Sequence, residues 1–361
     1  MEKFFKILDT ALMLSASDIH LLNGKSPVFR VEKKLVEYKD IEPLTKYDLE
    51  GLMEYLVDNS LELVDIFESS KKLDISYEYM GKRFRVNASM AFGVPTFSIR
   101  IIENEEIDIE KFKLGTLIDT IKKFNTGLVL ITGKVNSGKS TTLNAYVQSI
   151  NKEKSKKIVM LEEPIEHRHT SDKCIIVQKE VGKTGDVPSY YDGVINLLRE
   201  DSDIAIVGEI RDRQTMDAVL DLAESGTLVI GTLHTRSCGE TLDRILGLYS
   251  PSEQKSIKYI LSTVLKAIVS QKLVKDKNEH IILVPEIMIT NSTIAALIRQ
   301  ENFSISEIQD AIDIKSEKGM ISFERSFAKL YKDGIISLES IRENVEDDRY
   351  DYIMRLIGGD I

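Results

Sequence analysis

The sequence predicts an α/β protein. A mostly parallel sheet with helices on both faces carries a phosphate-binding loop, a small α+β domain precedes it, and a helical C-terminal region follows. Three observations predict this. GLVLIT, from Gly127 to Thr132, is a short apolar run rich in β-branched residues; Gly133 to Ser140 fits G-x-x-x-x-G-K-[ST]; and Thr141 onward reads as a helix. After Phe112, apolar runs alternate with helical patterns, as in a parallel sheet with crossover helices. Before Ile102, period-two runs are separated by glycine-marked turns.

Taken in order, Phe4 to Leu14 has apolar residues at helical spacing. IHLLNGKSPVFRVEKKLVEY reads as two strands around a turn at Asn23 and Gly24, and TKYDLEGLMEYLV as a helix with Asp48 as the acidic capping partner of Thr45. Leu73 to Tyr79, Lys82 to Ala91 and Thr96 to Ile102 are three further strands, with Gly81 and Gly93 at the turns. The acidic stretch at 103–112 suits a linker. The second domain, 113–290, has a helix at Leu117 to Phe124, the phosphate-loop unit, and strands at Lys157 to Leu161, Ile175 to Gln178, Ile204 to Val207 and Thr227 to Thr232. Helices are expected over Ser189 to Glu200 and Gln214 to Glu224. From Gly239 the chain reads as largely helical with one strand near His280 to Ile289, and 291–361 is a charged, amphipathic tail ending in a helix around Tyr350 to Leu356.

Composition narrows the function classes. At 361 residues and 40.9 kDa, two or three domains are expected. Hydrophobic content of 42% beside 29% charged residues is that of a soluble globular protein, and no run of about 18 uncharged apolar residues offers a membrane span. The N-terminal apolar patch carries Glu2, Lys6 and Asp9, which favours an amphipathic helix over a signal peptide. Cys174 and Cys238 form no C-x-x-C pair and fit buried or idle thiols in a reducing cytosol. A net charge of −10 argues against a large nucleic-acid footprint.

The loop sets the chemistry. Successive backbone N–H groups wrap phosphates, and the helix N-terminus adds partial positive charge on the same side. Gly133, Asn136, Ser137, Gly138, Lys139, Ser140 and Thr141 are the candidate nucleotide-binding residues, with Lys139 reaching the β- and γ-phosphates of ATP and Ser140 ligating Mg²⁺. Asn136 stands where many such loops use glycine, and asparagine tolerates the left-handed conformation.

The apolar strand Ile204 to Val207 delivers Glu209 at its C-terminal edge, where α/β sheets bind ligands; the carboxylate can accept a proton from the attacking water or hold Mg²⁺ through water. Glu162, Glu163 and Glu166 follow another buried strand, and a solvated turn competes with Mg²⁺ or water organisation there. For His234, a γ-phosphate contact competes with a buried histidine satisfied by backbone. Arg83 and Arg85 share one face of a strand and Arg100 lies on the next: either a solvated face or, in a ring of subunits, a face that meets a neighbour's nucleotide.

These motifs together resemble the ATPases of type IV pilus and type II secretion machines. The carriers are ASDIHL with FRVE, RFRVN followed by Arg100, GKVNSGKSTT, LEEPIE, LLREDSDIAIVGEIRD, AESGTLVIGTLHT, AIVSQKLV and AALIRQ, in the family's order over nearly the whole chain. The resemblance implies a PAS-like N-terminal domain, a RecA-like P-loop motor domain and a homohexamer. It also implies Mg-ATP hydrolysis coupled to domain rotation, acting in the cytoplasm on the inner-membrane platform protein, with membrane contact only through partners. By position, Gly133 to Thr141 match Walker A, Gly208 and Glu209 Walker B, Glu162, Glu163 and Glu166 the Asp box, and Thr227 to His234 the His box. The first-domain arginines match residues that approach nucleotide across or within subunits, and AALIRQ a motif tied to retraction.

The sequence departs from the family at Glu163 in place of aspartate, Thr227 in place of histidine and Lys134 in place of proline. These bear on turnover and subunit coupling more than on nucleotide binding. The chain has neither the extra N-terminal domains nor the four-cysteine zinc insert of assembly and secretion motors, which favours the retraction branch; an assembly or secretion motor and a nucleotide-gated adaptor are the alternatives.

Overall fold

A computed structural model describes residues 1–57, 60–102, 106–182, 185–314 and 319–358, which divide into two compact units: 1–102 with 166–168, and 106–165 with 169–358. Residues 103–105 of the expected linker and 315–318 and 359–361 of the tail lie outside the described residues.

In the first unit, α1 (Glu2–Met13) turns Phe4, Ile7, Leu8 and Ala11 inward at helical spacing. It is followed by β1 (Asp18–Leu21), β2 (Val28–Val31), β3 (Lys34–Glu37), α2 (Lys46–Val57), α3 (Leu61–Ser70), β4 (Lys72–Tyr79), β5 (Lys82–Ala91) and β6 (Val94–Ile102). Among the described residues the strands form an antiparallel sheet in the order β3-β2-β1-β6-β5-β4. Alternate residues, including Phe84, Val86 and Ala88 on β5 and Phe97 and Ile99 on β6, join the helices in one core. Full burial of each phenylalanine contributes about 2 kcal/mol. The expected cap is present: Asp48 Oδ2 accepts from the Thr45 N–H at 2.8 Å, and Thr45 Oγ1 accepts from the Asp48 N–H at 3.2 Å.

Two features differ from the sequence reading. The segment through Tyr38 holds three strands, because Glu32 and Lys33 turn the chain between β2 and β3 with φ of +47° and +68° and no glycine to signal it. Helix α3 was not expected; Ser60 caps it by accepting from the Leu63 N–H at 3.2 Å, yet none of its residues is fully buried, so its apolar pattern is weak.

The second unit runs α4 (Gly115–Ile121), β7 (Gly127–Thr132), α5 (Lys139–Glu153), β8 (Lys157–Glu162), β9 (Ile175–Glu180), α6 (Tyr190–Leu197), β10 (Ile204–Val207), α7 (Arg213–Glu224), β11 (Leu228–Leu233), α8 (Cys238–Leu246) and α9 (Pro251–Val264). Then come β12 (Leu265–Lys275), β13 (Ile281–Ile289), α10 (Ser292–Arg299), α11 (Ile305–Asp313), α12 (Phe323–Lys332), α13 (Leu338–Arg342) and α14 (Asp347–Gly358). Strand order among the described residues is β13-β12-β7-β11-β10-β8-β9, parallel except for the β12–β13 pair. Both faces are covered. Leu128 and Leu130 of β7 enter one core with α6 to α9, while Val129 and Ile131 enter another with α4 and α5, so a continuously apolar strand is the expected sequence signal.

Strand β12 corrects the expectation of a single strand after Gly239. Helix α9 passes into it at Leu265 with no glycine or proline between them, so the sequence carries no stop. Helices α12 to α14 pack on the far ends of β12 and β13 through Val274, Ile282, Val284, Phe327, Ile341 and Ile353. Among the described residues, no helix is long and apolar enough to cross a membrane. Both cysteines are free and buried.

Glu286 of β13 is 1% exposed, and its Oε2 accepts from the Cys238 N–H at the start of α8 at 2.6 Å. Burial pushes its carboxyl up to about 7, with the Cys238 N–H pulling the other way. Because the folded state holds this proton more tightly than the unfolded chain, the group's stabilising contribution is complete below about pH 4 and is lost as pH rises through about 7. Glu286→Gln should therefore gain on the wild type by on the order of 3 kcal/mol between pH 5 and pH 8 in denaturant titrations. An equal difference at both pH values would refute the assignment.

Candidate functional site

The site is built at one edge of the parallel sheet. Register pairs Thr132 of β7 with Leu233 of β11, Gly231 of β11 with Val207 of β10, and Val207 with Leu161 of β8. The chain therefore leaves these strands as the phosphate loop, His234, Glu209 and Glu163 along a single edge.

The loop closes as its sequence demands. Gly133 has φ +154°, and a Cβ there would press on Ser137 Oγ and come within 2.7 Å of the Gln271 carbonyl. Asn136 adopts φ +63°, the left-handed conformation expected of it, and Gly138 caps α5 at φ +85°. Ser140 is exposed and Thr141 half-buried in the first turn of α5, whereas Ser137 is buried and its hydroxyl makes no hydrogen bond among the described residues.

Lys139 folds back over the loop. Its Nζ donates to the carbonyls of Gly133 at 2.9 Å and Lys134 at 3.1 Å and lies 3.2 Å from His234 Nδ1. An ammonium there requires a lone pair on Nδ1, which places the ring proton on Nε2, 3.2 Å from Glu209 Oε1. Arg211 holds the other oxygen, Oε2, at 2.7 Å and reaches Glu163 Oε2 at 3.3 Å. Burial acts to raise the Glu209 carboxyl, but Arg211 and then His234 outweigh it and hold it below the usual carboxylate range. Burial lowers the Lys139 ammonium, with Glu209 opposing. The Glu209 backbone is fixed as well: Gly208 donates to the Leu161 carbonyl at 2.8 Å, and a Cβ on it would sit 2.8 Å from that oxygen and 3.0 Å from the Tyr190 hydroxyl.

Glu162 Oε1 accepts from Gln178 Nε2 at 2.9 Å, a cross-strand tie from β8 to β9. Glu166 belongs to the first compact unit. So do Arg83, Arg85 and Arg100, where Arg85 pairs with Asp74 at 2.6 Å, Arg100 with Asp18 at 3.0 Å, and Arg85 faces Arg100 across β5 and β6. Thr227 precedes β11, roughly 20 Å of strand from the loop edge, and its hydroxyl donates to the Ser202 carbonyl at 3.2 Å. That departure therefore leaves the row from Lys139 to Glu163 intact.

Sequence reasoning missed Arg211, which reads as one more charge in EIRDR although it stands two residues after Glu209. It also missed Gln271, whose Nε2 donates to Thr142 Oγ1 at 2.7 Å and ties β12 to α5. A cleft of about 960 Å³ opens beside the loop, lined by Lys134 to Ser137, Gln271, Leu273, Glu286 and Phe323 among others.

The fold and the site define a class: parallel α/β proteins with a glycine-rich phosphate loop at the C-terminal edge of the sheet. Within that class the chain belongs to the type II/IV secretion system protein family, whose model matches residues 2–304. It is similar to the Type IV pilus retractation ATPase PilT of Pseudomonas aeruginosa, with 35% identity over 92% of this chain and 94% of that protein. It is also similar to a twitching motility protein of Neisseria gonorrhoeae, with 34% identity over 78% of this chain and 75% of that protein. The crystal structure of the pilus retraction motor PilT with bound ADP superposes with a TM-score of 0.83 at 32% identity, covering 95% of this chain and 96% of that one.

Proposed function

We propose that this chain is an Mg-ATP-hydrolysing motor that works as a homohexamer to power type IV pilus retraction. The observation that carries the reading is the row Lys139, His234, Glu209 at the mouth of the phosphate loop, with steps of 3.2 Å. Backbone N–H groups of Gly133 to Thr141 cradle the phosphates, Lys139 exchanges its loop carbonyls for the β- and γ-phosphates, and the cleft beside the loop has room for the nucleoside. Glu209 accepts the proton of the attacking water, and His234 reports the γ-phosphate to it. The residue that suits Mg²⁺ is Ser140, whose exposed hydroxyl offers oxygen, the donor a hard cation takes. Bound there, Mg²⁺ neutralises phosphate charge. In the ring, Arg83, Arg85 and Arg100 complete the site, Glu162 and Glu166 flank it, and the motor acts from the cytoplasm on the inner-membrane platform protein without binding nucleic acid.

The test is steady-state ATP hydrolysis across a protein concentration series, with oligomer mass recorded in parallel. Turnover should rise as hexamers form, and cells lacking the gene should accumulate surface pili. Loss of pili would support an assembly motor, and hexamers without turnover a nucleotide-gated adaptor; either result overturns the reading.

A further inference from the structure

We infer that Arg211 is a positioning residue that bridges Glu209 and Glu163 and sets the orientation in which Glu209 meets the attacking water; this rests on the hydrolytic reading above. Glu209 and Glu163 leave β10 and β8, neighbouring parallel strands, so two carboxylates stand side by side at the sheet edge. Unbridged, they repel. Arg211 gives one guanidinium nitrogen to each, 2.7 Å to Glu209 Oε2 and 3.3 Å to Glu163 Oε2, so its planar fork spans two acids where a lysine could serve only one at a time.

Its position fits this role. The Arg211 side chain is 57% exposed against 19% for Glu209, so it closes the row from the solvent side. The inner oxygen of Glu209 meets His234, and the backbone before it is held against β8 by Gly208. With the main chain fixed and both oxygens directed, little rotational freedom remains in the base. The groups facing the pair are Lys139, His234 and Tyr190 together with Arg211 itself.

The geometry also explains Glu163. Its carboxylate reaches the guanidinium at 3.3 Å through a side chain one methylene longer than that of aspartate. The longer acid spans the gap.

The test is ATP turnover by Arg211→Gln and Arg211→Lys across pH and ATP concentration, beside the wild type and Glu209→Gln. Arg211→Gln should lose roughly ten- to hundredfold in kcat with KM nearly unchanged. The acid limb of its kcat profile should move to higher pH, because the base loses the cation that favours its ionised form. Arg211→Lys should restore most of the acid limb and only part of kcat. Nucleotide binding and thermal unfolding of each variant establish that it is folded, and the lysine variant serves if the glutamine variant is not.

Unchanged kcat and pH profile, a rise in KM alone, or a gain in kcat would each overturn the inference. The outcomes separate the two claims. An inactive wild type, or Glu209→Gln as active as the wild type, fails the hydrolytic reading; inactive Glu209→Gln beside fully active Arg211→Gln fails only the bridge.

Discussion

Glu209→Gln is expected to bind ATP as the wild type does and to hydrolyse it roughly 10²- to 10⁴-fold more slowly. The amide keeps the shape and can accept from one of the two donors, Arg211 or His234, but not from both, and it cannot take a proton from water. Arg211 and His234 hold the wild-type carboxyl below the usual range against the effect of burial. It is therefore ionised throughout the neutral range, and its contribution to stability, present above about pH 4, is lost only as pH falls through its lowered value. Phosphate release under saturating ATP, read beside equilibrium binding of a fluorescent ATP analogue, checks both halves. Turnover within a few-fold of the wild type would remove Glu209 from the mechanism.

Lys139→Ala should fail earlier, at binding. Its ammonium now satisfies two loop carbonyls and leans on His234, contacts that a phosphate chain replaces with stronger ones. Loss of a charged donor to phosphate costs about 1.5–3 kcal/mol, roughly ten- to hundredfold in affinity. Turnover should fall further, because the charge developing on the γ-phosphate loses a partner as well. The same binding assay separates this variant from Glu209→Gln, and ATP affinity equal to that of the wild type would show that Lys139 does not reach the phosphates.

Much of this was legible in the sequence, for identifiable reasons. The phosphate loop announces itself because its backbone needs residues that accept positive φ and close approach, as Gly133, Asn136 and Gly138 do. Strands β7, β8, β10 and β11 were legible because a strand covered on both faces is apolar throughout. Strand β12 was not, because α9 runs into it without a breaker, and the β2–β3 turn was hidden because a glutamate and a lysine take conformations usually left to glycine. Arg211 was obscured by its neighbours: among several charges in a polar loop, nothing in one dimension distinguishes the one that returns to bridge two strands. Glu286 was hidden inside an apolar run, where only the fold reveals the N–H it accepts.

The row Lys139, His234, Glu209, Arg211, Glu163 follows the strand order β7, β11, β10, β8. The sheet thus acts as a ruler, its marks set by the spacing between strands of about 4.8 Å. Exchanging an aspartate for Glu163 changes what stands at a mark and how far it reaches. The distance between marks belongs to the backbone ladder, so the loops can vary in chemistry while the layout of the site persists.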